Sequence, residues 1–156
     1  MSITSLIVVA LLVLIVLLWH VFEFAWDNGH FKSLEGGRFA QNLSTIAALQ
    51  IFKQHSDLTA VDVRPRPQFE KRHLPGALNA PFEDGHLDVS NLSALDRSKP
   101  ILLYCDGGYR SRRALPSLLD EGFTAVYHIN RGIKMWRFFG GACETMDQST
   151  ATKMIR

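Results

Sequence analysis

The segment ITSLIVVALLVLIVLLW, residues 3–19, carries no charge, and only Thr4 and Ser5 in it are polar. As a helix it would span about 25 Å, near the thickness of a bilayer's hydrocarbon core. Apolar residues continue through Val21, Phe22, Phe24, Ala25 and Trp26, broken by His20 and Glu23. A secretory signal peptide would open with positive charge and close on small residues. Here Met1 and Ser2 lead straight into the run, and the bulky WHVFEFAW follows it. The segment 1–26 therefore reads as a retained transmembrane anchor that meets the lipid bilayer through residues 3–26. Trp19 and Trp26 suit the interfacial belt. No Lys or Arg precedes the run, whereas Lys32 and Arg38 follow it, so the charge rule for loops places the rest of the chain in the cytoplasm. The expected location is the cell membrane, with a single pass.

The remaining length of this 156-residue chain suits one domain of ordinary size. A net charge of +2, spread without a basic stripe, gives no signal for a polyanion, and nucleic acid is not an expected partner. Two cysteines, Cys105 and Cys143, are too few for a disulfide scaffold and do not form a zinc framework. They fit a reducing compartment, where a lone cysteine is either inert or a reactive thiol.

DNGHFKSLEGGR, 27–38, mixes glycine with polar residues and reads as a linker. NLSTIAALQIFKQH, 42–55, has apolar residues at helical spacing with Ser44 as N-cap. LTAVDVR, 58–64, predicts a buried strand that turns polar at Asp62 to Arg64. RPQFEKRH, 66–73, predicts a helix with Pro67 at its first position. Residues 73–82 read as turn, short strand, turn, and 87–96 as one short helix. PILLYC, 100–105, is the clearest strand. A helix is expected over 111–122, closed by Gly122, with Pro116 as a disturbance inside it. AVYHI, 125–129, predicts another strand, and 132–141 a short helix ending at a glycine pair. Residues 144–156 read as a polar tail. Helices alternating with short apolar strands argue for an α/β fold with a mostly parallel sheet. Ligands of such folds bind beyond the carboxyl ends of the strands.

Cys105 stands at such an end. CDGGYRS, 105–111, joins the strongest strand to a helix. Gly107 and Gly108 permit a positive φ, so successive amides can turn inward into an anion-binding concavity. The next helix adds its N-terminal partial charge. A thiol at the base of that loop is favoured as thiolate, the reactive form. Arg110 can add a forked donor for an anionic substrate. Arg112 and Arg113 read as a solvated helical face.

Four stretches resemble the rhodanese-like sulfurtransferases. VDVRPRPQFEKRHLPGALNAP, 61–81, is similar to the family's Asp-x-Arg and His-x-Pro-Gly-Ala signature. ILLYCDGGYRS, 101–111, resembles its Cys-x-x-Gly-x-Arg-Ser loop. SLLDEGFTAVYHI, 117–129, matches the helix, Gly-Phe turn and strand that follow, and RGIKMW, 131–136, its closing Gly-x-x-x-Trp. The resemblance implies a five-stranded parallel sheet flanked by helices on both faces, here over 39–143. It implies that Cys105 takes a sulfane sulfur from a donor such as thiosulfate, becomes a persulfide, and hands the sulfur to a thiophilic acceptor, without cofactor or metal. Backbone amides of Asp106, Gly107, Gly108, Tyr109, Arg110 and Ser111 would cradle the outer sulfur. Arg110 would hold the donor's anionic end, Ser111 would bond within the loop, Asp62 would support the loop, and Arg64 would face the same crevice as a substrate contact. His73 is expected to anchor its turn, Trp136 to fill the core, and Cys143 to be a free thiol. Expected partners are small sulfur-containing anions or protein persulfides. Arg131, Arg72 and Pro65 depart from the family pattern and bear on loop detail.

Two other readings compete. The cysteine phosphatases and arsenate reductases that resemble this family place five residues between Cys and Arg. Here four separate Cys105 from Arg110, a tighter ring that suits a single sulfur atom. A rhodanese-shaped binding module that recruits partners at the membrane would need no turnover, but such modules often lose the cysteine that this chain keeps.

Overall fold

The computed structural model describes residues 2–30 and 39–146, with side chains for 2–22 and 39–146. The chain divides into two units, Met1–Lys32 and Ser33–Arg156. The first unit is one helix, α1 (Ile3–His30). Within it Ile3–Phe22 is long and apolar enough to cross a membrane, at 20 residues or about 30 Å. Its described leucines, isoleucines and valines are exposed all round. The helix continues four residues into the stretch read as linker. The rest of that stretch, 31–38, lies outside the described residues.

In the second unit five strands form one parallel sheet. These are β1 (Phe39–Leu43), β2 (Thr59–Asp62), β3 (Leu78–Asn79), β6 (Ile101–Tyr104) and β7 (Ala125–Ile129), in the order β1-β7-β6-β2-β3. β6 reads ILLY without alternation because both its faces are buried, as for the middle strand of a covered parallel sheet. Register places Ala60 beside Leu102, Asp62 beside Tyr104, and Leu103 beside both Val61 and His128. Alternation then sends Ala60, Leu102, Tyr104 and Ile129 to one face. There they pack on α2 (Thr45–Gln54), α3 (Arg66–Lys71) and α5 (Gly132–Phe138) through Ala48, Phe69, Ile133 and Trp136. Val61, Leu103 and His128 point to the opposite face, which α4 (Tyr109–Asp120) covers with Ala114, Leu115 and Leu118. Trp136 is almost wholly enclosed, and its Nε1–H donates to the Ala142 carbonyl at 2.9 Å.

Several boundaries differ from the sequence reading. The expected helix over 42–55 begins at Thr45, because Phe39–Leu43 pairs with β7 along its whole length. Ser44 does cap α2, accepting from the Ala47 amide at 3.2 Å. Arg66, not Pro67, is the first residue of α3. α4 starts two residues early, at Tyr109, and runs through Pro116, which has no amide to offer the Arg112 carbonyl. Gly122 closes α4 in a Schellman motif: its amide bonds Leu119 O at 3.0 Å, and that of Phe123 bonds Leu118 O at 3.2 Å. α5 stops at Phe138, short of the glycine pair. Residues 82–87, read as the edges of a turn and a helix, form a hairpin of β4 (Phe82–Glu83) and β5 (His86–Leu87). Its corner is Asp84-Gly85, both with positive φ, the sequence that a two-residue type I′ turn demands. A short 3₁₀ turn at Ser90–Leu92 replaces the helix expected over 87–96.

The first residues of the stretch read as a polar tail are bonded to the domain. Glu144 pairs with His73 in an antiparallel bridge (2.9 and 2.8 Å), and the Met146 amide bonds Glu70 O at 2.9 Å. The remainder, 147–156, lies outside the described residues.

Candidate active site

β6 delivers the chain to Cys105 at the carboxyl edge of the sheet, and four residues later α4 begins. Two glycines make that turn possible. Gly108, at φ +95, lies so close to the Asn130 carbonyl that a Cβ would stand 1.7 Å from it. Gly132, at φ +55, approaches the Cys105 and Asp106 carbonyls in the same way, with 2.3 and 2.6 Å left for a Cβ. That approach lets α5 hold the loop: Ile133 N–H donates to Cys105 O at 2.9 Å and Lys134 N–H to Asp106 O at 3.2 Å. The Lys134 ammonium also pairs with the Asp106 carboxylate at 2.6 Å.

The Cys105 sulfur accepts from the Gly108 amide at 3.2 Å and from the Ser111 hydroxyl at 3.4 Å. Ser111 is fully buried, and its Oγ also lies 3.2 Å from Gly108 O and 2.8 Å from His128 Nε2. His128 Nδ1 stands 2.9 Å from the Asn42 side chain on β1. Burial pushes the His128 ring down to about 4, against the Gly108 carbonyl, which favours its charge, and with the help of Arg112.

Cys105 is only 2% exposed, yet it forms the floor of an open cleft of about 830 Å3, within the usual range for small-molecule sites. Asp106, Gly107, Tyr109 and Arg110 line that cleft with the cysteine, so the structure brings these predicted residues together. Gly108 and Ser111 lie beneath it, against the sulfur. At Sγ itself the peptide donor is the Gly108 N–H. Tyr109, Arg110 and Ser111 form the open first turn of α4, whose amides have no intrahelical acceptor. The first helical bond is from Arg112 N–H to Gly108 O, at 3.2 Å.

Arg64 is not brought to this cleft. The residue is 5% exposed, and its guanidinium forks onto Asp62, at 2.6 Å from NH2 to Oδ2 and 2.9 Å from Nε to Oδ1. It also donates to the Arg72 carbonyl. Burial opposes its charge, but the Asp62 carboxylate outweighs this and holds it above its ordinary value. A buried arginine so engaged ties β2 to the turn after α3. It fronts a second cleft of about 350 Å3 with Lys71, Arg72, Lys134 and Arg137, which touches the first only at Gln68 and Asp106. Arg113 is exposed, as read, and on that exposed face it also lines the Cys105 cleft, within 5.8 Å of the Phe82 and Tyr109 rings. Glu83 and Asp84 of the hairpin form the facing wall. His73 is turned inward, stacked on Phe69 at 4.1 Å with Nδ1 2.9 Å from Phe69 O. Cys143 is a free, half-buried thiol.

The sequence reading passed over His128 and Asn42. A signal for His128 existed, since a histidine inside an otherwise apolar five-residue strand must find buried partners. Asn42 gave none, because its stretch was read as a helix.

Fold and site together define a class: an α/β protein with a strand-end thiol held by the amide and hydroxyl of a glycine-turned loop. The family is then specific. Residues 46–138 match the rhodanese-like domain, and the chain belongs to that family, as the four motifs imply. Thiosulfate sulfurtransferase GlpE of Coxiella burnetii is 29% identical over 101 residues, covering 62% of this chain and 87% of that protein. The adenylyltransferase and sulfurtransferase UBA4 of Meyerozyma guilliermondii is 34% identical over 88 residues, 53% of this chain. The match spans only 21% of that longer relative. Among solved structures, that of the Alr3790 protein from Anabaena sp. superposes with a TM-score of 0.61 at 25% identity, covering 72% of this chain and 99% of that one.

Proposed function

We propose that this protein is a membrane-anchored sulfurtransferase that moves sulfane sulfur through a persulfide on Cys105. The observation that carries this reading is the pair of donors on Sγ, Gly108 N–H and Ser111 O–H, at the floor of a cleft walled by Arg110 and Arg113. Both donors favour a sulfur with negative charge. The thiolate attacks the outer sulfur of a donor such as thiosulfate. A sulfur–sulfur bond forms to Cys105, the donor's own sulfur–sulfur bond breaks, and sulfite leaves with the electron pair. A thiophilic acceptor then attacks the outer sulfur of the persulfide and returns the thiolate. Arg110 binds the anionic end of the donor, the open first turn of α4 faces the transferred sulfur, and Asp62 with Arg64 braces the neighbouring strand end. The homologue named a thiosulfate sulfurtransferase supports the reaction class. The apolar helix Ile3–Phe22 supports the anchor, and Lys32 and Arg38 after it, with no Lys or Arg before it, support a cytoplasmic domain.

The test is sulfur transfer from thiosulfate to cyanide by the full chain in detergent micelles. Wild type should turn over and Cys105→Ala should not. Intact mass after exposure to thiosulfate should show one added sulfur, absent in the variant. Equal rates would remove the enzyme reading and favour a silent recruiting module. A reporter fused after Arg156 should report cytoplasm; a signal from the other side would overturn the topology.

A further inference from the structure

We infer that His128 is a positioning residue for Cys105, its Nε2–H occupying Ser111 Oγ so that the single hydroxyl proton of Ser111 is left for the sulfur. This rests on the persulfide reading above and names the group that keeps the thiol ready. Ser111 has one proton and three neighbours that could take it: Sγ at 3.4 Å, Gly108 O at 3.2 Å and His128 Nε2 at 2.8 Å. Which neighbour receives it depends on the tautomer of His128.

The ring is fully enclosed, and desolvation keeps it neutral at pH 7, so one nitrogen carries the proton and the other accepts. Suppose the proton sat on Nδ1. Nε2 would then present a lone pair to Gly108 O at 3.1 Å, acceptor against acceptor in a dry site, and would draw the Ser111 proton away from sulfur. With the proton on Nε2, both faults disappear. The N–H lies between Ser111 Oγ and Gly108 O, and satisfies both. Gly108 O then has two donors, Nε2–H and Arg112 N–H, which fill its two lone pairs. Sγ is the remaining acceptor for Ser111. On the far side Nδ1 becomes an acceptor and receives the NH2 of Asn42, after a half-turn of an amide whose two ends are equal in size. β1, β7, α4 and the catalytic loop are thereby joined in one chain of hydrogen bonds from half-buried Asn42 through His128 and Ser111 to Cys105. Other charges near the sulfur are Asp106 with Lys134, Arg110 and Arg113 of α4, Arg112 beside His128, and Glu83 and Asp84 of the hairpin. None of them is altered by the substitutions below.

The experiment follows alkylation of Cys105 by iodoacetamide against pH, in the full chain in detergent micelles, read at the Cys105 peptide by mass spectrometry. His128→Gln keeps a donor at the place of Nε2 and should retain the wild-type profile. His128→Asn reaches only to the place of Nδ1. It should move the profile to higher pH and slow alkylation at pH 7 by about three- to tenfold, the worth of one hydrogen bond to sulfur. Ser111→Ala should do the same, and the double variant should lose no more than Ser111→Ala alone. A wild-type profile for His128→Asn, or losses that multiply in the double variant, would overturn the proposal. Should His128→Asn fail to fold, nitrogen-15 NMR of the wild-type ring decides: a proton on Nε2 supports the proposal and a proton on Nδ1 ends it. Alkylation needs no sulfur donor, so a chain that shows these shifts yet transfers no sulfur refutes the enzyme reading and leaves the positioning role intact.

Discussion

The two cysteines of this chain sit in opposite polarities. The sulfur of Cys105 is met by donors, an amide and a hydroxyl, at the junction of β6 and α4. The sulfur of Cys143 lies beside an acceptor, the Gly141 carbonyl at 3.9 Å, and packs against the apolar cluster of α2 and α5. Burial pushes the Cys143 thiol up, even though Arg137, Arg72 and Arg64 pull the other way. Three arginines near Cys143 thus do not offset its burial, and the two sulfurs differ in whether the groups that face them donate or accept.

The largest contrast should appear in sulfur uptake. Cys105→Ala should abolish the added-sulfur mass, whereas Cys143→Ala should keep it in full; uptake at Cys143 in the single variant would erase the distinction. Next comes the loop that presents Cys105. Gly132→Ala puts a methyl group into the Cys105 and Asp106 carbonyls at a positive φ. It should cost roughly 2–4 kcal/mol in chemical denaturation, while Gly76→Ala, also at positive φ but in open space, should cost less.

The third prediction concerns pH. His128 titrates near 6.5 when unfolded and at about 4 when folded. Between those values the unfolded chain holds one more proton, so stability rises with pH there. Folding should weaken by about 3 kcal/mol as pH falls from above 6.5 to below 4, and His128→Gln should flatten that slope. The smallest effect is at Cys143. With its pKa raised, it should alkylate more slowly at pH 8 than a cysteine in an unfolded peptide, and reach that peptide's rate once the chain is denatured.

What could be read from the amino acids was whatever they encode locally. ILLYC announces a buried strand by composition, CDGGYRS a turn by its glycines, and Gly122 a helix end by its place after Asp120 and Glu121. These signals span a dozen residues or fewer, and the parallel sheet with its strand-end thiol follows from them. The hairpin at Asp84-Gly85 was equally local and was simply passed over. Other features have no local trace. β1 is a strand because β7 lies beside it, and FAQNL alone does not say so. Asn42 and His128 meet across 86 positions, and Glu144 finds His73 only after the whole domain has closed. Arg64 shows the same limit: its motif marks it as important, but only the fold shows that its guanidinium engages Asp62 and the Arg72 carbonyl and fronts a second cleft.

Asn130 presses on Gly108, and the first amides of α5 grip the carbonyls of Cys105 and Asp106. During synthesis, therefore, the cysteine leaves the ribosome well before the residues that shape its surroundings. A nascent chain ending short of Asn130 carries the thiol without its cradle. The hydrogen bonds that shape the surroundings of that sulfur are complete only once α5 has docked, which couples the finished loop to completion of the sheet.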